Sequence, residues 1–243
     1  MAAALTALVD RLARATPLSA EDRNAIEALP ATVRTLEPNA SLLYPDDHSQ
    51  TCCIVLSGWV GSFKLLGNGQ RQVLAFYVAG DLPDLQSLYL PTTDYGICAL
   101  TDASVALVPH GPMRALMVRR PDVAAALLRE TLVSGSITRE WVVGLGRRAG
   151  PQRMAHLFCE LYTQQRAAGL VDTEGRCPLP ISQTVLADAL GLTAVHVNRI
   201  LKELRGQGLI QLRQRTLVIL DWPRLSALAE FDPTYLHLDR QGP

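Results

Sequence analysis

Residues 181–210 constrain the fold more than any other part of the chain. Their sequence, ISQTVLADALGLTAVHVNRILKELRGQGLI, contains two apolar repeats of helical period on either side of Gly191. Ser182 and Thr193 each precede one repeat, where a hydroxyl oxygen can accept hydrogen bonds from the first helical turn. Gly191 lies where the chain must turn, a position that favours a residue tolerant of positive φ. The pattern predicts two short helices joined by a tight turn.

The second of these helices has an apolar face with regular spacing. Positions i, i+3, i+4 and i+7 carry Val197, Ile200, Leu201 and Leu204. The small residues Ala187 and Gly191 would let the two helices cross closely, and Val197 and Ile200 would hold the crossing. These are the requirements of a helix-turn-helix motif.

The opposite face of the second helix is small at its start and polar or basic further on. It carries Ala194, Val195, Asn198, Arg199, Lys202 and Arg205. In a DNA major groove, arginine can bind guanine O6 and N7, asparagine can pair with adenine, and a small apolar side chain can contact a thymine methyl. Lys202 and Arg205, with Arg213 and Arg215 further on, suit contacts with phosphates. We therefore predict double-stranded DNA as a partner.

The distribution of charge agrees with a polyanionic partner. The whole chain has 23 Lys+Arg and 23 Asp+Glu. Residues 146–220 carry ten basic and five acidic residues, a net of +5, which leaves a net of −5 for the flanking segments. A basic segment between acidic ones indicates where a polyanion binds.

The rest of the C-terminal half also has regular patterns. Residues 151–169 predict a strong helix, and residues 172–180 read as a loop. Residues 209–220 alternate well enough to predict two short strands joined near residues 213–215. A basic strand pair after a helix-turn-helix makes the winged variant, and residues 221–232 predict a short closing helix.

The N-terminal half changes from helix to strand patterns. Ser19 with Asp22 three residues later predicts a capped helix. From about residue 32 to 109, short β-prone runs alternate with turn signals, including a hairpin signal at Gly67-Asn68-Gly69-Gln70. Closely spaced strands without helical patterns between them predict an antiparallel sandwich or barrel.

A long helix is predicted from Pro121 onward, because no proline follows for 28 residues. It has two apolar stripes. One consists of Leu128, Leu132, Gly135, Val142 and Leu145, and the other of Val123, Leu127, Ile137 and Trp141. A helix that is apolar on two sides needs two partners. We predict the β-domain as one partner and the same helix of a second subunit as the other, with the first stripe as the dimer interface.

From about residue 18 to 232 the chain resembles the CRP/FNR superfamily of bacterial transcription regulators. The resemblance rests on GLTAVHVNRILKELRGQGLI, on the ending LVILDWPRLSALAEFDPTYLH, and on the turns VLSGWVGSF and YVAGDL. It implies an α+β protein with three parts. These are a cyclic-nucleotide-binding-like β-roll with an N-terminal helix (1–120), a dimerisation helix and hinge (121–148), and a winged helix-turn-helix domain (149–243).

The resemblance implies a homodimer that binds a palindromic DNA site and contacts RNA polymerase. Arg199 matches the family's strongly retained base-contacting arginine, and Thr193 and His196 match positions near phosphate. The chain departs from cyclic-AMP receptor proteins at Ala194 and Val195, where those proteins have Arg and Glu, so its half-site should differ. The full set of predicted DNA-contacting residues is Ser182, Thr193, Ala194, Val195, His196, Asn198, Arg199, Lys202, Arg205, Arg213 and Arg215.

The effector expected of this family is not readable from the sequence. The family's Gly-Glu and Arg-Ser pairs, which hold ribose and phosphate, align with Asp84-Leu85 and Thr93-Asp94. Two aspartates would repel a cyclic phosphate, which needs a cation and backbone donors, so cyclic AMP and cyclic GMP are disfavoured. The N-terminal cysteine cluster of iron–sulfur relatives is absent, and haem ligation by His48 with Cys52 or Cys53 is an open alternative to a structural role.

The five cysteines are odd in number and irregularly spaced, which fits reduced thiols in the cytoplasm. Cys159 and Cys177 lie in the DNA-binding half and are candidates for redox-sensitive thiols, with simple packing as the alternative. A regulator without a small effector, controlled by thiol oxidation or by abundance, therefore stays open beside one that binds an unidentified small molecule.

Enzymes and membrane proteins fit the sequence poorly. A cupin-like metal enzyme would need several histidines on neighbouring strands, but only His48 and His110 fall in or beside the β-region, and no H-x-H occurs. The segment GLGRRAG ends a helix and follows no strand, so it is not a dinucleotide loop. The chain begins without a basic leader and contains no apolar run of about 20 residues. We predict a cytoplasmic protein that is not an enzyme.

Overall fold

The computed structural model describes residues 5–238, which form two compact units: residues up to Leu132 and the segment Val133–Leu238. Residues 1–4 and 239–243, which the predicted domain limits include, lie outside the described residues. No helix of the described part of the chain is long and apolar enough to cross a membrane.

The first unit begins with two helices, α1 (Thr6–Ala15) and α2 (Ala20–Glu27). The capping box predicted for α2 is confirmed, because the Ser19 side chain accepts from the backbone of Asp22 and the Asp22 carboxylate accepts from the backbone of Ser19. Helix α1 was not predicted, although Leu8, Val9 and Leu12 recur at helical spacing and are buried.

Seven strands follow in the first unit. Their bounds are β1 (Thr32–Leu36), β2 (Ser41–Leu43), β3 (Thr51–Ser57), β4 (Val60–Leu65), β5 (Arg71–Tyr77), β6 (Gly96–Ala99) and β7 (Ala103–Pro109). They form two antiparallel sheets with strand orders β1-β7-β3 and β2-β6-β4-β5. The predicted hairpin turn joins β4 to β5, which pair from Val60 opposite Tyr77 to Leu65 opposite Arg71. The antiparallel β-roll expected from the sequence is therefore confirmed.

Two helices complete the first unit and lead into the second: α3 (His110–Arg119) and α4 (Pro121–Arg147). Val123 and Leu127 of α4 are buried in the first unit's core. On its other stripe Leu128, Leu132 and Val142 are 59%, 63% and 64% exposed, and Gly135 and Leu145 are partly exposed. Within residues 5–238, the leucines and valine at the centre of the stripe predicted to bind a second subunit are thus left largely uncovered.

The second unit contains four more α-helices, a 3-10 helix (Pro233–Leu236) and a small sheet. The helices are α5 (Gly150–Ala167), α6 (Gln183–Leu190), α7 (Ala194–Gly206) and α8 (Trp222–Ala229). The strands β8 (Arg176–Pro178), β9 (Ile210–Arg213) and β10 (Thr216–Ile219) form an antiparallel sheet of order β8-β10-β9. The loop predicted for residues 172–180 is wrong where β8 lies, because that strand is defined by pairing with the distant β10 rather than by a local pattern.

The buried carboxyl of Glu160 connects α5 to two other segments of the second unit by hydrogen bonds. Glu160 of α5 accepts hydrogen bonds from Trp141 Nε1 of α4 at 2.9 Å and from the Tyr235 hydroxyl at 2.6 Å. Burial raises the pKa of Glu160 to about 7, while the two hydrogen bonds act in the opposite direction. The carboxyl is thus held by neutral donors.

Candidate nucleic-acid interface

Helices α6 and α7 begin and end as the residues predict. The Ser182 hydroxyl accepts from the Val185 N–H at 3.2 Å, and the Thr193 hydroxyl accepts from the His196 N–H at 3.2 Å. Gly191 has φ 59°, in the left-handed region, so it makes the turn between the helices without the steric cost of a Cβ atom. The predicted caps and turn are confirmed.

The apolar face of α7 is anchored in the second unit. Val197, Ile200, Leu201 and Leu204 are buried, as predicted. A Cβ atom at Gly150 would lie 3.0 Å from Ile200 Cδ1 and 3.4 Å from His196 Nε2. The start of α5 therefore lies directly against α7, and this contact fixes the rotation of α7 about its own axis.

The opposite face of α7 is open to solvent. Val195 is 82% exposed, and Ala194, Arg199, Lys202 and Arg205 are exposed as well. The side chains of Arg199 and Lys202 have no hydrogen-bond or ion-pair partner within residues 5–238. This surface therefore offers an apolar side chain and cations without internal partners to another molecule.

Asn198 differs from its neighbours because α6 holds its side chain. Its Nδ2 donates to Gln183 Oε1 at 3.2 Å, which orients the amide and leaves its carbonyl oxygen free of that bond. Sequence reasoning missed Gln183, because the two residues are 15 positions apart and only the crossing of the helices brings them together. Arg205 Nε donates to the Leu201 carbonyl at 3.1 Å, so part of this guanidinium is bound to its own helix.

Strands β9 and β10 form the basic hairpin that the sequence predicts. Gln214 and Arg215, which connect them, have φ values of 48° and 61°. Two successive residues with positive φ are typical of the two-residue type I′ turn. Arg213 and Arg215 are both exposed at this turn, so the hairpin presents two guanidinium groups to solvent.

The two candidate redox thiols lie in the interior. Cys159 and Cys177 are fully buried, and burial raises the pKa of each to about 12. Redox-sensitive thiols need access and a stabilised thiolate. This environment favours the packing alternative for both residues.

The β-roll does not offer the charges that a cyclic phosphate needs at the aligned positions. Asp84 is buried, accepts from the Cys53 N–H at 2.7 Å, and has its pKa raised to about 7 by burial. Thr93 donates to a backbone carbonyl, and Asp94 forms an ion pair with Lys64 at 2.8 Å. Because neither aligned pair supplies a cation for the phosphate, the residues at these positions do not fit a cyclic nucleotide.

The candidate haem ligands His48, Cys52 and Cys53 have other surroundings that explain them. His48 Nδ1 lies 2.8 Å from the Pro91 carbonyl oxygen, and His48 is partly exposed. Cys52 and Cys53 are fully buried, and burial raises the pKa of Cys52 to about 12. Within residues 5–238, no group of three or more His, Cys, Asp or Glu residues could hold a metal ion.

Comparison with known proteins identifies both halves of the chain. A family model described as a cyclic nucleotide-binding domain matches residues 33–120, and one described as a Crp-like helix-turn-helix domain matches residues 152–228. The nitrogen fixation regulation protein FixK of Bradyrhizobium diazoefficiens is 30% identical over 177 residues, which are 72% of either chain. The chain belongs to the CRP/FNR family of transcription regulators.

Other members of the CRP/FNR family agree in sequence and in structure. The transcriptional activator protein FnrL of Cereibacter sphaeroides is 26% identical over 198 residues, covering 79% of this chain and 78% of that protein. The solved structure of FixK2 from Bradyrhizobium japonicum superposes with a TM-score of 0.75 at 28% identity, covering 82% of this chain and 98% of that one. These relatives are regulators, so the chain is a DNA-binding transcription regulator and not an enzyme, and α6 and α7 are its helix-turn-helix.

Proposed function

We propose that this CRP/FNR regulator acts as a homodimer that reads a palindromic DNA site through the outward face of α7. The observation that carries the proposal is the surface around Arg199. Its guanidinium is exposed and unpartnered within the described residues, beside the exposed Val195 and the oriented amide of Asn198. Exposed donors of fixed geometry beside an apolar side chain suit the edges of base pairs in a major groove.

The proposed DNA contacts fall into two groups, contacts with bases and contacts with phosphates. Arg199 binds guanine O6 and N7, Asn198 pairs with adenine, and Ala194 and Val195 contact thymine methyl groups. Phosphate contacts come from cations and capping hydroxyls at the edge of the surface. These residues are Ser182, Thr193, His196, Lys202, Arg205, Arg213 and Arg215. They position the protein without reading sequence.

The second subunit binds along the exposed stripe of α4. Leucine and valine side chains that are about 60% exposed there would be covered by the same stripe of a partner helix. Replacing Leu132 with Glu should convert the dimer to a monomer in analytical ultracentrifugation. Val118→Glu, at a residue of α3 that is 82% exposed, is the matched control and should leave the dimer intact. A Leu132→Glu protein that still sediments as a dimer would remove α4 from the interface.

Control of the regulator does not require a cyclic nucleotide, because the aligned positions supply no cation for its phosphate. An unidentified small effector, or control by abundance without an effector, is compatible with the β-roll. Binding to DNA next to promoters brings the protein into contact with RNA polymerase, and its action is in the cytoplasm.

The test is selection of bound duplexes from a pool of random DNA by the full-length protein. Wild type should enrich a palindrome, and Arg199→Ala should lose the preference at one base pair in each half-site. Arg166→Ala, which changes an exposed arginine near the end of α5, should enrich the same palindrome as wild type. Identical enrichment by wild type and Arg199→Ala would refute the assigned role.

A further inference from the structure

A small cavity lies inside the second unit, where the C-terminal part of α4, helix α5 and the end of α6 meet. Its volume is about 20 Å³, which is room for one water-sized occupant. Its walls are mostly apolar, and its polar lining consists of Glu140, Arg148, Arg153 and His156. The proposed function uses none of these four residues.

The polar groups around this cavity have more donors than acceptors. Arg148 Nε, Arg148 Nη1, Arg153 Nε and His156 Nε2 are buried and make no hydrogen bond. His156 is only 6% exposed. Buried donors without partners are rare in folded proteins, since each costs the free energy of its lost hydration.

The partners that these side chains do have leave an excess of positive charge. Arg148 Nη2 donates to Glu140 Oε1 at 2.6 Å, and His156 Nε2 lies 3.3 Å from the same oxygen. Arg153 donates to the carbonyl oxygens of Leu190 and Arg148. Among the residues that line the cavity, two guanidinium groups thus face one carboxylate, that of Glu140. Glu160 also acts on Arg148, but with its pKa raised to about 7 it carries only part of a negative charge at neutral pH.

The electrostatic environment agrees with an uncompensated cation. Burial lowers the pKa of Arg153. Burial also lowers the pKa of His156 to about 4, with a further contribution from Arg148 and an opposing one from Glu140. The imidazole is therefore neutral at physiological pH, and in its Nε2–H tautomer it adds an uncharged donor.

We propose that the cavity binds a small monovalent anion, a halide or one of similar size, held by Arg148, Arg153 and His156. A water molecule would satisfy only part of the donor set, because it accepts about two hydrogen bonds and brings no charge. An anion accepts from all of these donors and balances the second guanidinium. Because Arg153 also binds the carbonyl of Leu190, the last residue of α6, the anion would contact the arginine that holds the helix-turn-helix in place. The proposal does not depend on the DNA-binding surface.

The probe is bromide, titrated into the full-length protein at constant ionic strength in exchange for gluconate, which is too large for the cavity. Gly144→Ala tests the available space without removing a charge. Its new Cβ atom would make ordinary contacts, 3.6 Å from Arg148 Nη1 and 3.8 Å from Arg153 Cγ, and alanine is favoured over glycine within a helix. Arg148→Gln tests the charge, and Arg147→Gln, at the exposed neighbouring arginine, is the matched control.

We expect bromide to raise the Tm of wild type and of Arg147→Gln by about 4 °C at ten times the dissociation constant. Gly144→Ala and Arg148→Gln should show no bromide-dependent change. Crystals grown in bromide should give an anomalous difference peak between Arg148 and Arg153. Three results would overturn the proposal. Wild type and Gly144→Ala could respond equally to bromide, the Tm could rise only at molar bromide, or the crystals could show water alone in the cavity.

Discussion

Two arginines in different regions of the molecule show how local partners decide what a cation does. Arg11 of α1 forms ion pairs with Asp81 at 3.3 Å and with Glu130 at 3.0 Å, all within the first unit. Arg199 of α7 is exposed and has no such partner in the described part of the chain. The same side chain is thus satisfied internally in one region and left for an external acceptor in the other.

The packing around Arg11 shows why its role is structural. A Cβ atom at Gly80 would lie 2.5 Å from the Ala7 carbonyl oxygen and 2.8 Å from Arg11 Cβ, so α1 lies directly on the turn that carries Asp81. Burial raises the pKa of Asp81, and the charge of Arg11 acts against that shift. The comparison shows that the role of an arginine depends on whether its N–H groups already have partners within the protein. The residue type alone does not decide it.

The largest expected effect is the loss of Arg11. Arg11→Met should lower the free energy of unfolding by about 3 kcal/mol, because it leaves the largely buried carboxylate of Asp81 without its ion-pair partner. Urea denaturation followed by circular dichroism measures this. Arg199→Met is the matched variant and should change stability by less than about 0.5 kcal/mol.

The double variant Arg11→Met with Asp81→Asn is the control for this interpretation. It should recover part of the lost stability, since the unpaired charge is removed. If Arg11→Met and Arg199→Met lowered the free energy of unfolding equally, the two arginines would not differ in their structural role.

The next effect concerns Glu160, a buried carboxyl held by neutral donors instead of an arginine. Its folded-state pKa of about 7 lies above its ordinary value, so the folded protein binds the proton more tightly than the unfolded chain does. The stabilisation is present at low pH and is lost as the pH rises through 7. Between pH 5 and pH 7 this should cost wild type about 2 kcal/mol.

Glu160→Gln isolates this contribution, because Asp84 has its pKa raised to about 7 as well. The amide keeps an acceptor for Trp141 Nε1 but cannot titrate. The difference in unfolding free energy between wild type and Glu160→Gln should therefore change with pH between 5 and 7, as measured by urea denaturation at each pH. A constant difference across that range would show that Glu160 is ionised throughout.

Local chemistry explains which parts of this fold could be predicted from the sequence. The caps at Ser19, Ser182 and Thr193 and the turn at Gly191 depend on neighbours within a few residues, and they are confirmed. Strand β8 and the bond between Gln183 and Asn198 depend on chain segments far apart in sequence, so no local pattern indicates them. The anion cavity was missed for the same reason.

The smallest effect lies in the hairpin between β9 and β10. Arg215 has a positive φ of 61°, which strains any residue with a Cβ atom. Arg215→Gly should raise the free energy of unfolding by up to about 1 kcal/mol per subunit. It should reduce the slope of log K against log salt by about 0.9 per subunit, which is about 1.8 for the bound dimer. Fluorescence anisotropy with a labelled duplex at several salt concentrations measures the slope. An unchanged slope would remove Arg215 from the phosphate contacts.

The most direct test of the central claim combines Arg199→Ala with a duplex in which 7-deazaguanine replaces the guanine that Arg199 is proposed to read. This base lacks the N7 acceptor. For wild type the modified duplex should bind about 1–3 kcal/mol more weakly than the natural one, whereas Arg199→Ala should bind both duplexes equally. If instead the binding free energy lost through Arg199→Ala and that lost through the modified base add at every guanine of the half-site, Arg199 does not contact guanine N7. The account of the α7 surface would then be contradicted.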